Sequence, residues 1–444
     1  MYFIYTALLL ILYIVCLLLC SRKLVYGVAL CIACEILVPY TAQLLGIPFL
    51  TLLKCTIILF CLNKLIRNKK ALKNVLKYKY PFTYFLFPLA IIGLGGIIDY
   101  SFQLKEITSL AKSFLLFYPV IITIETEKDF QIIMKSIVST FIVIGIYGII
   151  TYIINSNPYV MSMAMTFGIS DTEYLNALSD TTFRGGLTSR ATGTAISSLV
   201  WGQSCLILFP MVSFLSNKYV SKTLLWTASI ICFLNIFLSG QRSCLLPLII
   251  LQAYYLLTYF GIKKSIQGIF LLLVLIIPIM FTIHNVPALN KYEKNIQSTI
   301  IFWDDDLSNK NAIGGSNKEM RLEQLKCSIE MTSDNLFWGL GLGYPSWYKM
   351  HYGRHSIMLG FESILFVAIL SSGLFGVLIW ILFFSKNIQI VRKKFIRRDA
   401  IVIQGICIMS FLMTGIQSTF QLFLLLIALM IVYPKQFSLR GTYV

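Results

Sequence analysis

Seven polar side chains hold most of the chemistry in this 444-residue chain: Arg184, Arg190, Arg242, Arg321, Arg354, His355 and Glu362. Arginine keeps its charge and offers a rigid fork of donors that fits phosphate oxygens two at a time. Several arginines converging on one surface would suit a diphosphate. A neutral imidazole, with an ordinary pKa of about 6.5, is suited to take a proton from a hydroxyl. His355 stands where a long polar stretch enters an apolar one, and Glu362 follows two helical turns later. On a continuous helix the two would share a face, about 10 Å apart along the axis. Arg242 is the most exceptional of the set. It lies in "LSGQRSCL", residues 238–245, which interrupts a run otherwise apolar from Leu224 to Phe260. An arginine at the centre of a membrane helix costs about 3 kcal/mol on insertion scales, so this octapeptide is expected to be a turn between two spans. Taken singly, each arginine also fits a plainer role, snorkelling to headgroups or pairing within a loop.

Other reactive types are less informative. His351 and His355 are four apart, but neither they nor His284 have the carboxylate context of a zinc site, and no metal is expected. "WDDDL", with Asp304, Asp305 and Asp306, is expected to be a solvated acidic turn. Of the 11 cysteines only Cys327 falls outside an apolar run, and Cys31-x-x-Cys34 is expected to be small apolar helix filler. There is no phosphate-binding glycine loop, dinucleotide fingerprint or serine nucleophile elbow. ATP-driven or hydride chemistry therefore has no support, and no cofactor is expected.

The elements that must position these residues are membrane helices. Hydrophobic residues make up 57% of the chain and charged residues 13%, against roughly 25% charged in an average soluble protein. Spans are expected near 2–20, 24–40, 46–62, 81–98, 107–124, 136–154, 194–214, 223–239, 243–260, 266–284 and 356–384, with one or two within 400–433. This makes an all-α polytopic bundle of 12–13 helices. The runs are continuous rather than alternating, which argues against a barrel. The first segment lacks a basic leader and a small-residue cleavage site, and is expected to be a retained helix.

The net charge of +18 could suggest nucleic acid, but its distribution argues for topology instead. Segments 21–23, 63–80, 125–135, 217–222, 263–264, 385–399 and 435–440 hold 23 Lys/Arg and 4 Asp/Glu, net +19. Segments 99–106, 155–193, 240–243 and 285–355 hold 12 Lys/Arg and 13 Asp/Glu, net −1. The positive-inside bias makes the first set cytoplasmic, with "NKLIRNKKALKNVLKYKY" and "KNIQIVRKKFIRR" as anchors on anionic lipid. The five arginines named first then lie on the outer face. Four charges fall within spans: Glu35, Lys54, Lys112 and Glu362. Glu35 and Lys54 flank one turn at similar depth and are expected to pair.

The chain is expected to form one integral membrane domain over 1–444. Its two long exoplasmic loops, 155–193 and 285–355, are expected to be functional or to carry structure. In the second, Ser316 and Glu319 form a capping-box pattern. Leu322, Leu325 and Ile329 then predict an amphipathic helix at roughly 317–332 with those three on its apolar face. Gly339, Gly341 and Gly343 follow, suited either to close backbone approach or to a plain turn.

From about residue 184 to 380 these motifs resemble the O-antigen ligase/polymerase family of bacterial envelope glycosyltransferases. They are "SRATG" with Arg190 and Gly193, "LSGQRS" with Arg242, Arg321 opening a helix ahead of a G-x-G stretch, and His355 before a glycine-rich span. The family has His-Asn at the last point, where this chain has His355-Ser356. The first 180 residues match in hydrophobicity alone.

The resemblance implies a GT-C-like bundle in the bacterial inner membrane acting on a glycan linked to undecaprenyl diphosphate. Arg190, Arg242 and Arg321 would stabilise the departing diphosphate, Arg184, Arg354 and Glu362 would complete the binding surface, and His355 would be the general base of an inverting, metal-independent transfer. The first functional reading is a polymerase of surface polysaccharide repeat units. The alternatives are a ligase moving glycan to lipid A core, a transferase acting on protein and, from a different class, a flippase or other transporter. A transporter would line a central path with charge, whereas here polarity concentrates in two outer loops. Partners would be the lipid-linked donor, a glycan or lipid-linked acceptor, membrane lipid, and a chain-length regulator or other assembly proteins.

Overall fold

A computed structural model describes residues 2–167, 190–195, 197–258, 318–358, 360–416 and 419–434. Arg184, His284, Asp304–Asp306, Ser316 and the span expected at 266–284 lie outside the described residues. In chain order the helices are α1 (Tyr2–Arg22), α2 (Leu24–Leu37), α3 (Phe49–Arg67), α4 (Lys69–Lys77), α5 (Phe87–Gly93) and α6 (Tyr100–Ser113). Next come α7 (Phe117–Thr123), α8 (Glu127–Ile154), α9 (Pro158–Thr166), α10 (Ser198–Pro210), α11 (Lys222–Leu238) and α12 (Arg242–Thr258). The last are α13 (Lys318–Met331), α14 (Tyr344–Tyr352), α15 (Ile364–Val391), α16 (Arg397–Thr414) and α17 (Phe420–Ile431). A two-residue hairpin, Gln43–Leu44 with Ile47–Pro48, is the one sheet among the described residues. Six helical stretches there are long and apolar enough to cross a membrane, and four more are apolar but shorter. The chain is an all-α polytopic membrane protein.

Local sequence sets many of the helix boundaries. Thr126 caps α8 and Asp129 returns the bond, satisfying two backbone donors at once. Ser197, Ser221 and Ser363 cap α10, α11 and α15. Pro210 lacks an N–H and is followed by a wider π-turn over Met211–Leu215. The span expected at 107–124 is two pieces, α6 and α7, broken at Phe114–Leu116.

The core is continuous through the bundle. α17 is apolar on all sides but for Gln421 near its start and buried over nearly its whole length, with Phe423 to Met430 fully enclosed, as a helix surrounded by others requires. α1 turns Phe3, Ile11 and Leu18 outward. The expected Glu35–Lys54 pair forms inside the bundle. Lys54 Nζ lies 2.7 Å from Glu35 Oε2, in an ion pair without hydrogen-bond geometry, and donates to Gln421 Oε1 at 2.7 Å.

Charge is segregated along the bundle. At one end Lys23 meets Asp129 at 2.5 Å, Lys64 meets Glu125 at 2.6 Å, and Tyr254 Oη donates to Asp399 at 2.9 Å. At the other end the carbonyls of Ile36, Leu37, Leu238 and Leu412 accept bonds from Thr194 Oγ1, Tyr159 Oη, the Ala191 N–H and Ser363 Oγ. The described basic connections thus gather at one end and the described parts of the two long loops at the other.

At that second end the chain inserts an irregular, glycine-containing segment into a broken helix. α15 is interrupted at Gly373, whose φ of 62° and ψ of −158° belong to a region essentially reserved for glycine. The break frees backbone groups that the segment 336–341 takes up. The Leu340 and Gly341 N–H groups donate to the carbonyls of Leu370 and Ser371, and the Leu374 and Phe375 N–H groups donate to Leu336 and Phe337. On its other side the segment bonds α5 and the turn after it, with the Ile97 N–H donating to Leu340 and the Leu342 N–H to Gly93. Gly339 and Gly341 are therefore close-approach glycines. A Cβ on Gly339 would meet backbone of Ser372 and Gly373 at 2.5 Å.

Candidate functional site

Two clusters stand at this end of the bundle, with a cavity beside the second. The first joins the loop after residue 189 to the turn between α11 and α12. The Ala191 N–H donates to the Leu238 carbonyl at 3.0 Å. Gly240 has a φ of +64°, and a Cβ there would stand 3.4 Å from Arg190 Nε. Arg190 therefore lies along the turn that ends in Arg242, and both arginines are half-buried. The supports are built in. Asn157 Nδ2 holds Thr192 Oγ1 and the Gly193 carbonyl, each at 2.8 Å. The Trp201 ring fills the space a Cβ on Gly193 would need, and its Nε1 donates to Asn235. Gln241, a mere polar neighbour by sequence, ties the turn to the start of α10 through Ser198 Oγ at 3.1 Å.

The second cluster joins α13 to the segment before α15. Arg321 Nη2 reaches Glu362 Oε2 at 3.2 Å, and its Nη1 donates to Gln324 Oε1 at 3.1 Å. Gln324 Nε2 donates onward to the Ile357 carbonyl. His355 Nδ1 accepts from the N–H groups of both Ile357 and Met358, each at 3.1 Å. Backbone thus supplies the orientation of the ring, at a point where Ser356 replaces the family's asparagine. With Nδ1 accepting, the neutral ring carries its proton on Nε2. Nε2 lies 3.9 Å from Cys327 Sγ, and burial pushes that thiol up, so it stays protonated.

Two sequence expectations need correction here. The described residues of 353–358 and 360–363 are not helical, because Gly353 and Phe361 adopt positive φ and Ser363 caps α15. Glu362 therefore precedes the span rather than lying within it, and it shares no helix face with His355; Arg321 sits beside it instead. In addition, α13 does not bury Leu322 and Ile329, which are 55% and 42% exposed. Gln324, Cys327 and Ser328 face inward instead. The neighbouring segment offers a carbonyl, an imidazole and a carboxylate, which a polar face satisfies and a leucine face would not. Arg354 is exposed and makes no ion pair among the described residues.

α10 connects the clusters. A Cβ on Gly202 would meet Ser239 and Gln241, while Gln203 donates to the Gly415 carbonyl at 2.8 Å. Gly415 in turn lies against Glu362 and Ser363. A cavity of about 370 Å³ opens here. One face of α6 lines it with Glu106, Ser109, Leu110 and Ser113, at i, i+3, i+4 and i+7. Glu362, Ser346, Ser371 and Ser372 add polar groups, and Trp380 and Phe420 add aromatic surface. Among the described residues no three His, Cys, Asp or Glu side chains are grouped so as to hold a metal.

Residues 227–381 match the model of the O-antigen ligase family. The matched stretch runs from within α11 to within α15 and shows a likeness to that family over this part of the chain. No curated protein gives a match to the chain. The matched stretch contains Arg242, Arg321, Arg354, His355 and Glu362, and it covers the inserted glycine segment and the break in α15. Arg190 lies before it, but the next residue, Ala191, bonds Leu238 within it, and the Arg190 side chain lies beside Gly240. Glu106 lies far upstream and reaches the cavity from α6. Sequence reading placed Glu106 in an outer connection and missed it. The signal was the polar stripe Glu106, Ser109 and Ser113 at helical spacing.

Proposed function

We propose that the protein transfers a glycan from undecaprenyl diphosphate at the outer face of the bacterial inner membrane, and that it acts as a polymerase joining lipid-linked repeat units of O-antigen or another surface polysaccharide. The observation that carries the proposal is the placement of Arg190 beside the turn that ends in Arg242, fixed by the Ala191–Leu238 hydrogen bond, near the start of the stretch that matches the O-antigen ligase family. Two guanidinium groups there would bind the diphosphate and stabilise the charge that grows as the anomeric C–O bond breaks. Arg321, held by Glu362 and Gln324, extends the basic surface, with Arg354 and Arg184 as further contacts. A diphosphate is a good leaving group, so the reaction needs electrostatic stabilisation more than covalent help. The acceptor oxygen bonds to the anomeric carbon from the face opposite the leaving group, and its proton passes to a base.

His355 enters with a donor at Nε2, because backbone holds its Nδ1 lone pair. We assign it a hydrogen bond to an oxygen of the lipid-linked substrate. The base role then moves to a carboxylate on the cavity, of which Glu362 keeps Oε1 clear of Arg321. A ligase acting on lipid A core is the second reading, favoured by the likeness of residues 227–381 to the O-antigen ligase family. Deletion of the gene separates them. A polymerase predicts surface glycan reduced to one repeat unit; a ligase predicts loss of all attached glycan with lipid-linked polymer accumulating. If Arg242→Ala and His355→Ala both insert normally and both leave long-chain glycan unchanged, the site assignment fails.

A further inference from the structure

The cavity between α6, the residue 342–346 segment and α15 has a chemistry distinct from the arginine cluster. Its lining contains two carboxylates, Glu106 and Glu362, and no lysine or arginine. A diphosphate would be repelled there. Its hydroxyl groups come from Ser109, Ser346, Ser371 and Ser372, which can donate and accept, and from Ser113, which donates to the Ser109 carbonyl and can accept. Ser371 is 3% exposed, yet its Oγ has no hydrogen-bond partner among the described residues. A buried hydroxyl left that way is unfavourable unless something enters to meet it. Glu106 likewise has no hydrogen bond or ion pair among the described residues, and Glu362 uses one oxygen on Arg321. The volume, about 370 Å³, falls within the range of small-molecule sites.

A ligand that fits must donate several hydrogen bonds to carboxylates, accept a few from serines, and lay an apolar face on aromatic rings. A pyranose ring does all three: its hydroxyls point outward around the rim and its C–H face is apolar. We infer that this cavity is a sugar subsite for the glycan being joined, and that its carboxylate pair selects uncharged or amine-bearing sugars against acidic ones. The inference rests on the glycan-transfer reading for the identity of the sugar, but the binding it predicts can be measured without transfer. Donor and acceptor glycans share this chemistry, and the test separates them.

The probe is the repeat-unit oligosaccharide released by mild acid from the cell's own lipid-linked pool, together with the same oligosaccharide oxidised at its primary hydroxyls to uronates. Binding to the full-length protein in detergent is followed by saturation-transfer NMR. The native unit is expected to bind, and the uronate form to bind roughly tenfold more weakly, about the loss of one charge-assisted hydrogen bond. Glu106→Gln should weaken the native unit by a similar factor and remove most of the discrimination against the uronate. Ser371→Ala, a smaller change in a buried position, should weaken binding less and keep the discrimination. Thermal unfolding of each variant checks that it folds.

Equal binding of the two oligosaccharides by the wild type, or a Glu106→Gln variant that folds and binds both unchanged, overturns the inference. So does a native repeat unit that is itself acidic. In a transfer assay, a raised KM for acceptor with the donor KM unchanged in Glu106→Gln places the acceptor in the subsite, and the reverse places the donor. Sugar binding without any transfer would refute the proposed function and leave the subsite standing. Transfer without sugar binding here would do the opposite.

Discussion

His355 is the residue whose role depends most on a single atom. Its Nδ1 accepts two backbone N–H groups, so the working atom is Nε2, and it bears a proton. Asparagine places an acceptor near the Nδ1 position, and glutamine places a donor near Nε2. His355→Asn should therefore keep stability and lose transfer. His355→Gln should keep transfer about tenfold above the asparagine variant. Equal, near-zero activity in both would favour a histidine that accepts a proton. Arg242 makes a different demand. Lysine keeps its charge but not the two-toothed fork, so Arg242→Lys should retain only a small part of activity, and Arg242→Ala should lose roughly a hundredfold or more. Initial rates on lipid-linked substrate, with membrane insertion checked, decide both cases.

At the scale of elements, the sharpest prediction concerns the break in α15. Gly373→Ala puts a side chain where φ is 62° and ψ is −158°, at a strain of about 1–3 kcal/mol, and against the backbone of Phe337. Thermal unfolding in detergent should show a clear loss, whereas Gly405→Ala, whose added Cβ meets nothing within 4 Å, should not. Sequence patterning disclosed the helices readily, because a long apolar run has few other structures open to it in a bilayer. It also flagged Arg190, Arg242, Arg321 and His355, because charge and glycine are exceptional there. It failed where partners come from elsewhere in the chain. Leu322, Leu325 and Ile329 gave a plausible apolar face, but α13 packs against a carbonyl, an imidazole and a carboxylate, so its polar face turns inward. Nothing local to Glu362 announces that Arg321 will meet it or that Phe361 will take a left-handed backbone. Glu106 was hidden by its position at the margin of a span, where a carboxylate is ordinary.

The whole molecule is polarised along one axis. Described basic connections meet at one end, and the arginine–histidine clusters stand at the other. Single cysteines at Lys394 and Ser356 should therefore label from opposite faces with a membrane-impermeant thiol reagent, and residue 356 should be the one reached from outside. Labelling of both from one side would break the topology and the proposed reaction with it. The interior holds its own test of how the bundle is tied. Lys54 and Glu35 are 8% and 2% exposed, so removing one leaves the other charge buried. Lys54→Met should destabilise by about 3–5 kcal/mol, and the double change with Glu35→Leu should recover much of that loss. Melting temperatures of the single and double variants in one detergent measure the coupling.

The helix broken at Gly373 also says something about assembly. Its sequence is apolar enough to enter the bilayer as an ordinary continuous helix, satisfying its own backbone. In its final form it is interrupted, and its freed carbonyls and N–H groups are bonded by residues 336–341. In hydrocarbon each such group left without a partner would be unfavourable by several kcal/mol. The interruption and the docking must therefore occur together, once the upstream loop and the α15 break stand at the same end of the bundle. Chain order favours this, since the loop is synthesised before the helix that receives it. A late checkpoint follows: a protein in which the glycine segment has not docked would retain every transmembrane helix and still lack the wall that residues 342–346 give the cavity beside Glu106 and Glu362.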